Sequence, residues 1–431
     1  MESIAMTTEI AITLIILVLS MVSFVWEKIT IATTSVLVML LLIVTRVITP
    51  AQGFAGFVNG TVILFFGMFI VGAALEKTGV AQTFGELVTR RAKTERQLMI
   101  ALMIAAGVLS SFISNTTAMA IMLPIVIGIC KKSGINRSRL LLPVAYATSM
   151  FGGMTLTSTS PNVIASELMY EFTGQSFGFF EFAWVSIPRG IVGILFFALI
   201  GYKLLPNHPD IALDSDSEQT ENYDHVPTWK KVAALLILIA TSIAFVFEAQ
   251  LAPIGLPIHV ISSIAAVTVV VLGLVTQKQA FNSVDQPTIF LFAGLFALAA
   301  AMTATGAGDF IAYQILSIAG DVSGFTMMVV FTILGWILTT FISNPATAAL
   351  LVPISIPISQ GLGINPATIV MAIAMSSSLA YMSPVTTPPN TMVYGVGNYK
   401  FVDYFKAGFP LVLVTIIVIA IFTPIFFPFG G

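Results

Sequence analysis

Charge is scarce in this sequence. Only 9% of its 431 residues are Asp, Glu, Lys or Arg, against roughly 25% in an ordinary soluble domain. A soluble core does not explain that figure. Apolar residues make up 57% of the chain, and several runs reach the roughly 18 residues needed to cross a bilayer. There is one cysteine, Cys130, which excludes an internal disulfide or cysteine metal cluster and leaves a packing role. Of the three histidines, His208 and His225 share an acidic segment with no metal-like spacing and are expected to be solvated. His259 opens an apolar run and is expected at an interface. No Walker-type loop occurs, so ATP is not expected to act directly and no organic cofactor is implied. The spans offer no grouped His, Cys or carboxylates of the kind a membrane-embedded enzyme needs. The net charge is −2 and is sorted by loop, so no basic patch points to nucleic acid. The first apolar run lacks the basic flank and cleavage site of a signal peptide.

What remains is an all-α polytopic membrane protein whose solvent is lipid. Ten segments read as full spans, near 8–26, 30–48, 61–76, 138–166 and 183–204, then 229–249, 257–276, 286–304, 366–395 and 408–427. One further apolar pair lies in each half. In the first, the arm after "SNTT" has few residues before Lys131 and Lys132 and is interrupted by Pro124, so it reads as too short to cross. Each pair is therefore expected to enter the membrane and turn back, as hairpins at 96–131 and 324–360.

The halves match each other. "FISNTTAMAIMLPI" aligns with "FISNPATAALLVPI", and "TVILFFGMFIVGAALEKTG" with "TIFLFAGLFALAAAMTATG". "STSPN" matches "TTPPN", and Gly134-Ile135-Asn136 matches Gly363-Ile364-Asn365. Five spans is an odd number, so the second repeat, 229–431, is expected to be inverted relative to the first, 1–204, with 205–228 as an acidic linker. Inverted repeats with polar breaks at mid-membrane are common in secondary transporters. With both termini outside, all but Arg46 and Arg189 of the 18 basic residues fall on the inner side, as the positive-inside rule requires. The first hairpin then faces the cytoplasm and the second faces outward.

The polar breaks are the candidate site. Irregular backbone within a membrane persists only where protein or water satisfies it. The first residues of a second hairpin arm offer free N–H groups and a positive dipole end, which attract anions. The last carbonyls of the first arm suit a cation, and Ser114, Asn115 and Thr116 add hard oxygen ligands. "GGMTLTSTSPN" from Gly152 and "SPVTTPPN" from Ser383 interrupt two spans in the same way. A lone break of this kind is usually a kink with back-bonded Ser or Thr; four in matching places point to one binding site. Intramembrane carboxylates mark proton-coupled carriers. Glu76, Glu248 and Asp285 sit at span ends, and no charge is expected near a break, which favours Na⁺ over H⁺.

These tips, the "SPN" and "TPPN" breaks and the repeat order resemble the divalent anion:sodium symporter family, over nearly the whole chain. The resemblance implies a homodimer in the plasma (inner) membrane with a scaffold domain and an elevator-like transport domain. That domain would carry both hairpins, with "VAQTFGELVTRR" and "GDFIAYQILSIAG" as linking arms. It implies one Na⁺ site at Ser110, Ser114, Asn115 and the backbone of Ser158, and another at Thr339, Asn344 and the backbone of Ile342 and Thr386. Substrate oxygens, of a dicarboxylate or sulfate, would meet Asn115, Thr116, Thr159, Asn344 and Thr387. Two positions depart from the family pattern: Pro345 replaces its Thr, and Ser160 its first proline. Exchange, another oxyanion, proton coupling and an anion channel are the alternatives that the sequence leaves open.

Overall fold

The computed structural model describes residues 6–26, 28–89, 92, 94–209, 223, 225–319 and 322–430. Its first half forms α1 (Thr8–Trp26), α2 (Ile31–Val44), the short α3 (Pro50–Phe54), α4 (Gly60–Lys77) and α5 (Val80–Thr89). These are followed by α6 (Glu95–Ser110), α7 (Asn115–Ser133), α8 (Leu141–Phe151), α9 (Ser160–Thr173) and α10 (Ala183–Leu199). The second half opens with α11 (Thr228–Val246), the short α12 (Glu248–Leu251), α13 (Ile258–Val271), the short α14 (Gln277–Asn282) and α15 (Gln286–Thr305). It continues with α16 (Ala307–Ala319), α17 (Gly324–Phe341), α18 (Asn344–Gly361), α19 (Pro366–Ser376), α20 (Pro388–Val396) and α21 (Phe401–Phe426). No strand occurs among the described residues.

Among the described residues, seven helices are long and apolar enough to cross a membrane by length and composition. Exposed Ile15, Leu19 and Val22 on α1, and Ile417, Ile421 and Ile425 on α21, form stripes at helical spacing. Such faces suit lipid, and the chain is an integral multi-pass membrane protein.

Local chemistry sets the boundaries. Side chains of Thr30, Asn59, Thr94, Ser114 and Ser323 accept the first backbone N–H groups of α2, α4, α6, α7 and α17. Gly134 and Gly363 end or follow α7 and α18 with φ of 70° and 67°, a left-handed conformation that favours glycine. This explains the matched "GIN". The last helix begins at Phe401 rather than 408, because Asp403 Oδ2 accepts the Lys400 N–H at 2.7 Å and caps about two further turns.

Two expectations need correction. Helix α7 has 19 residues and carries Lys131 and Lys132 in its last turn, and by length and apolarity it could cross a membrane. Its shortness therefore cannot be the argument for a hairpin. His208 is not simply solvated: its Nε2 lies 2.9 Å from Asp403 Oδ2, and its N–H bonds Ser138 Oγ at 2.9 Å. The start of the linker is thus docked on the turn before α8 and on the first turn of α21. His225 is exposed as expected. Residues 210–222 and 224 of the linker, with Arg90, Arg91 and Lys93, lie outside the described residues.

Packing follows a paired scheme. Helix α2 packs on α15 as α13 packs on α4, and α1 on α2 as α11 on α13. In a second group, α6 packs on α8 as α17 on α19, α18 on α9 as α7 on α20, and α10 on α8 as α21 on α19. Each of these contacts in one half has its counterpart in the other.

Candidate substrate and cation site

Both spans are interrupted, at 152–159 between α8 and α9, starting at Gly152 as the sequence places it, and at 377–387 between α19 and α20, starting six residues before Ser383. The freed backbone is stapled by one buried asparagine per break. Asn162 Nδ2 donates to the carbonyls of Gly153 and Thr155 at 3.1 and 2.9 Å. Asn390 Nδ2 does the same for Ala380 and Ser383 at 2.9 and 2.8 Å. This is the work of the final Asn in "SPN" and "TPPN". The repeated motif was visible in the sequence, but the role of its Asn was not.

The helix tips meet these breaks with the same geometry in each half. Ser110 Oγ lies 2.5 Å from the Thr148 carbonyl and 3.3 Å from Asn115 Oδ1. Thr339 Oγ1 lies 2.6 Å from the Ser377 carbonyl and 2.8 Å from Asn344 Oδ1. A hydroxyl has one proton to give. Each cluster therefore gathers three oxygens around a single proton, leaving lone pairs that suit a hard cation such as Na⁺. Ser110 and Thr339 are fully buried, behind the tips. The carbonyls of Thr148 and Ser377 are additions that sequence reasoning missed; their only signal was that each lies at the end of the first half of a broken helix. Ser114 Oγ is engaged in capping, bonding Thr117 N at 3.2 Å and Thr117 Oγ1 at 2.9 Å. Ile342 is buried at the end of α17, its N–H bonded to the Leu338 carbonyl at 2.9 Å.

In front of the tips lies a cavity of about 880 Å³. Asn115, Thr116, Ser158, Thr159, Asn344 and Thr387 line it, together with Ser114, Thr386 and Pro345. Thus the structure brings together every proposed substrate residue. The buried hydroxyls of Thr159, Thr386 and Thr387 have no hydrogen-bond partner within the protein, which is costly unless something else satisfies them. Phe65, Met68, Phe69 and Leu291 add apolar lining, and Glu76, Lys77 and Asp285 add charged groups to it. Four helices, α7, α9, α18 and α20, start at the cavity, so their positive ends favour an anion there.

Comparison with known proteins places the chain in a family. The profile of the citrate transporter family matches residues 21–255 and 242–429. The chain belongs to the citrate transporter family. An uncharacterized transporter of Haemophilus influenzae is 30% identical over 427 residues, covering 93% of this chain and 89% of that protein. The sodium-dependent dicarboxylate transporter SdcS of Staphylococcus saprophyticus is 28% identical, covering 92% and 82%. Among solved structures, the YdaH transporter of Alcanivorax borkumensis overlays with a TM-score of 0.65 at 14% identity, covering 88% of each chain. The MtrF protein of Neisseria gonorrhoeae gives 0.60 at 15%, covering 100% of this chain and 97% of that one. At such identities these two speak for the fold alone. The relatives bear out the resemblance to divalent anion:sodium symporters, and they are transporters rather than enzymes.

Within this family member one expectation fails at the site itself. Arg189 was expected near the outer side, with no charge near a break. Instead it is 1% exposed and reaches both breaks. Its Nη1 donates to the Met375 carbonyl at 2.9 Å, and its Nη2 to Met150 and Ser149 at 2.6 and 3.1 Å. Position 189 lies seven residues into α10, a span that sequence alone could place by depth only coarsely. The two glycines before the first break now have separate reasons. A Cβ on Gly153 would stand 2.9 Å from Arg189 Nη2, and one on Gly152 only 1.9 Å from Asn115 Oδ1. Glycine is what lets the tip and the arginine approach.

Proposed function

We propose that the chain is a Na⁺-coupled symporter of small divalent carboxylates. The observation that carries the reading is the pair of oxygen clusters sharing one proton each, both behind helix N-termini that open on one cavity. Neutral oxygens suit a small hard cation, and a dicarboxylate in the cavity would accept from the N-terminal N–H groups and from Thr159 and Thr387. Relatives described as sodium-dependent dicarboxylate transporters favour this cargo. Sulfate has the same charge and fewer carbon contacts for the apolar lining.

The matched packing supports two inverted repeats, with α6–α7 and α17–α18 as re-entrant hairpins. An elevator-type movement fits a specific asymmetry. Helix α9 packs along α15, while α20 makes no comparable packing on α4. Ser160 Oγ at the first break sits 3.2 Å from Thr288 Oγ1 near the start of α15. The cavity reaches Glu76, Lys77 and Asp285, which the bias of basic residues assigns to the cytoplasmic side. In this reading the transport domain, a unit of α6–α10 and α17–α21, stands displaced inward and open to the cytoplasm. A homodimer built on the scaffold, in the plasma membrane with both termini outside, completes the proposal.

The test is uptake into proteoliposomes of labelled succinate, citrate and sulfate, under an imposed Na⁺ gradient, an imposed proton gradient, or neither. Saturable succinate uptake that requires the Na⁺ gradient is expected. Uptake that follows protons and ignores Na⁺, or flux that does not saturate, overturns the proposal.

A further inference from the structure

We infer that Arg189 is the fixed counter-charge of the anion site, a positioning residue that makes the site prefer dianions over monoanions. This rests on the function proposed above. The carbonyls it binds belong to the last turns of α8 and α19. A helix C-terminus carries about half a negative elementary charge. Two such ends converge behind a cavity built for an anion. Left alone they would repel the substrate with roughly one unit charge, opposing the four N-termini that attract it. A guanidinium stays protonated and can fork to several carbonyls at once. Arg189 thereby cancels both C-termini and ties the two breaks into one body.

Three observations make this more than a packing contact. Arg189 is 1% exposed, and among the described residues every hydrogen bond of its guanidinium goes to a main-chain carbonyl and none to a carboxylate. A charge in the middle of a membrane protein is expensive and is retained where it does something. The break also makes room for it: Gly153 leaves space where a Cβ would fall 2.9 Å from Nη2 and 2.8 Å from Ser186 Oγ. Finally, Pro188-Arg189 in α10 reads Pro410-Leu411 in α21. One arginine serves both halves, as expected of a charge placed between the two breaks.

The test compares wild type, Arg189→Gln and Arg189→Lys for apparent affinity toward succinate and monomethyl succinate, a dianion and a monoanion of nearly the same shape, in Na⁺-loaded proteoliposome uptake at neutral pH. A unit charge on the order of 10 Å from the substrate, at an effective dielectric near 20, corresponds to about a tenfold change in the dianion-to-monoanion ratio. Arg189→Gln is therefore expected to lower that ratio about tenfold, and Arg189→Lys to keep it within about twofold. A purely structural arginine would weaken both anions alike. An unchanged ratio in Arg189→Gln, or a ratio that collapses equally in Arg189→Lys, overturns the inference. If Arg189→Gln does not fold, Arg189→Met takes its place as the charge-removed variant, with the same expected fall in the ratio. A wild type indifferent to both anions overturns the proposed function and this role with it, whereas a selective wild type with a selective Arg189→Gln variant overturns the arginine's role alone.

Discussion

Gly152→Ala is the sharpest single perturbation of the cation cluster, because it touches no proposed ligand chemically. The added Cβ would lie 1.9 Å from Asn115 Oδ1, 2.8 Å from its Cγ and 2.5 Å from the Thr148 carbonyl oxygen. Ordinary contact begins near 3.4 Å, so Asn115 Oδ1 must retreat by more than 1 Å or the tip must back away from α8. Either movement pulls Oδ1 from Ser110 and disperses the three oxygens. Overpacking of this kind costs about 1–3 kcal/mol. The loss of one bond to a charged partner is worth about 1.5–3 kcal/mol, so the Na⁺ concentration for half-maximal uptake should rise roughly tenfold or more. Melting of the purified protein reports the first term, and Na⁺ titration of succinate uptake reports the second. Gly128→Ala is the control, since nothing stands within 4 Å of its Cβ position, and alanine in a helix is favoured over glycine by about 1 kcal/mol. If Gly152→Ala keeps the wild-type Na⁺ dependence, the Asn115 cluster is not the cation site.

Asn162→Ala and Asn390→Ala each strip two carbonyls of their donors inside the protein; melting should fall by an amount corresponding to about 2–5 kcal/mol, and a change within 0.5 °C would refute the staple role. At the tips, Thr116→Ala should raise the apparent KM for succinate about tenfold, the value of one charge-assisted hydrogen bond, whereas Pro345→Thr should be tolerated; unchanged affinities in Thr116→Ala would leave that residue as a helix-start residue only. For orientation, Gln175→Cys should react with an impermeant thiol reagent from outside and Ser133→Cys should not, both positions being exposed and Cys130 buried; the reverse pattern exchanges the two faces.

Much of this protein was legible along the chain because membrane helices are written in local terms. Length and apolarity located the spans, and a repeated polar break located the tips at Ser114 and Ser343, since a bilayer tolerates irregular backbone only where its groups are satisfied. Cap residues such as Ser114 and the left-handed glycines at 134 and 363 act within a turn, so they too were readable. What stayed hidden depends on distances across the fold. That Thr148 and Ser377 lend carbonyls to the clusters follows from how α8 meets α6 and α19 meets α17. That His208 pairs with Asp403 joins positions 195 residues apart. Arg189 is the clearest case: hydropathy assigns it to a span, but only the crossing of α10 over both broken helices turns an apparent boundary charge into the buried cation behind the site. Sequence periodicity reports which elements form, while the partners of a buried charge are set by how those elements pack.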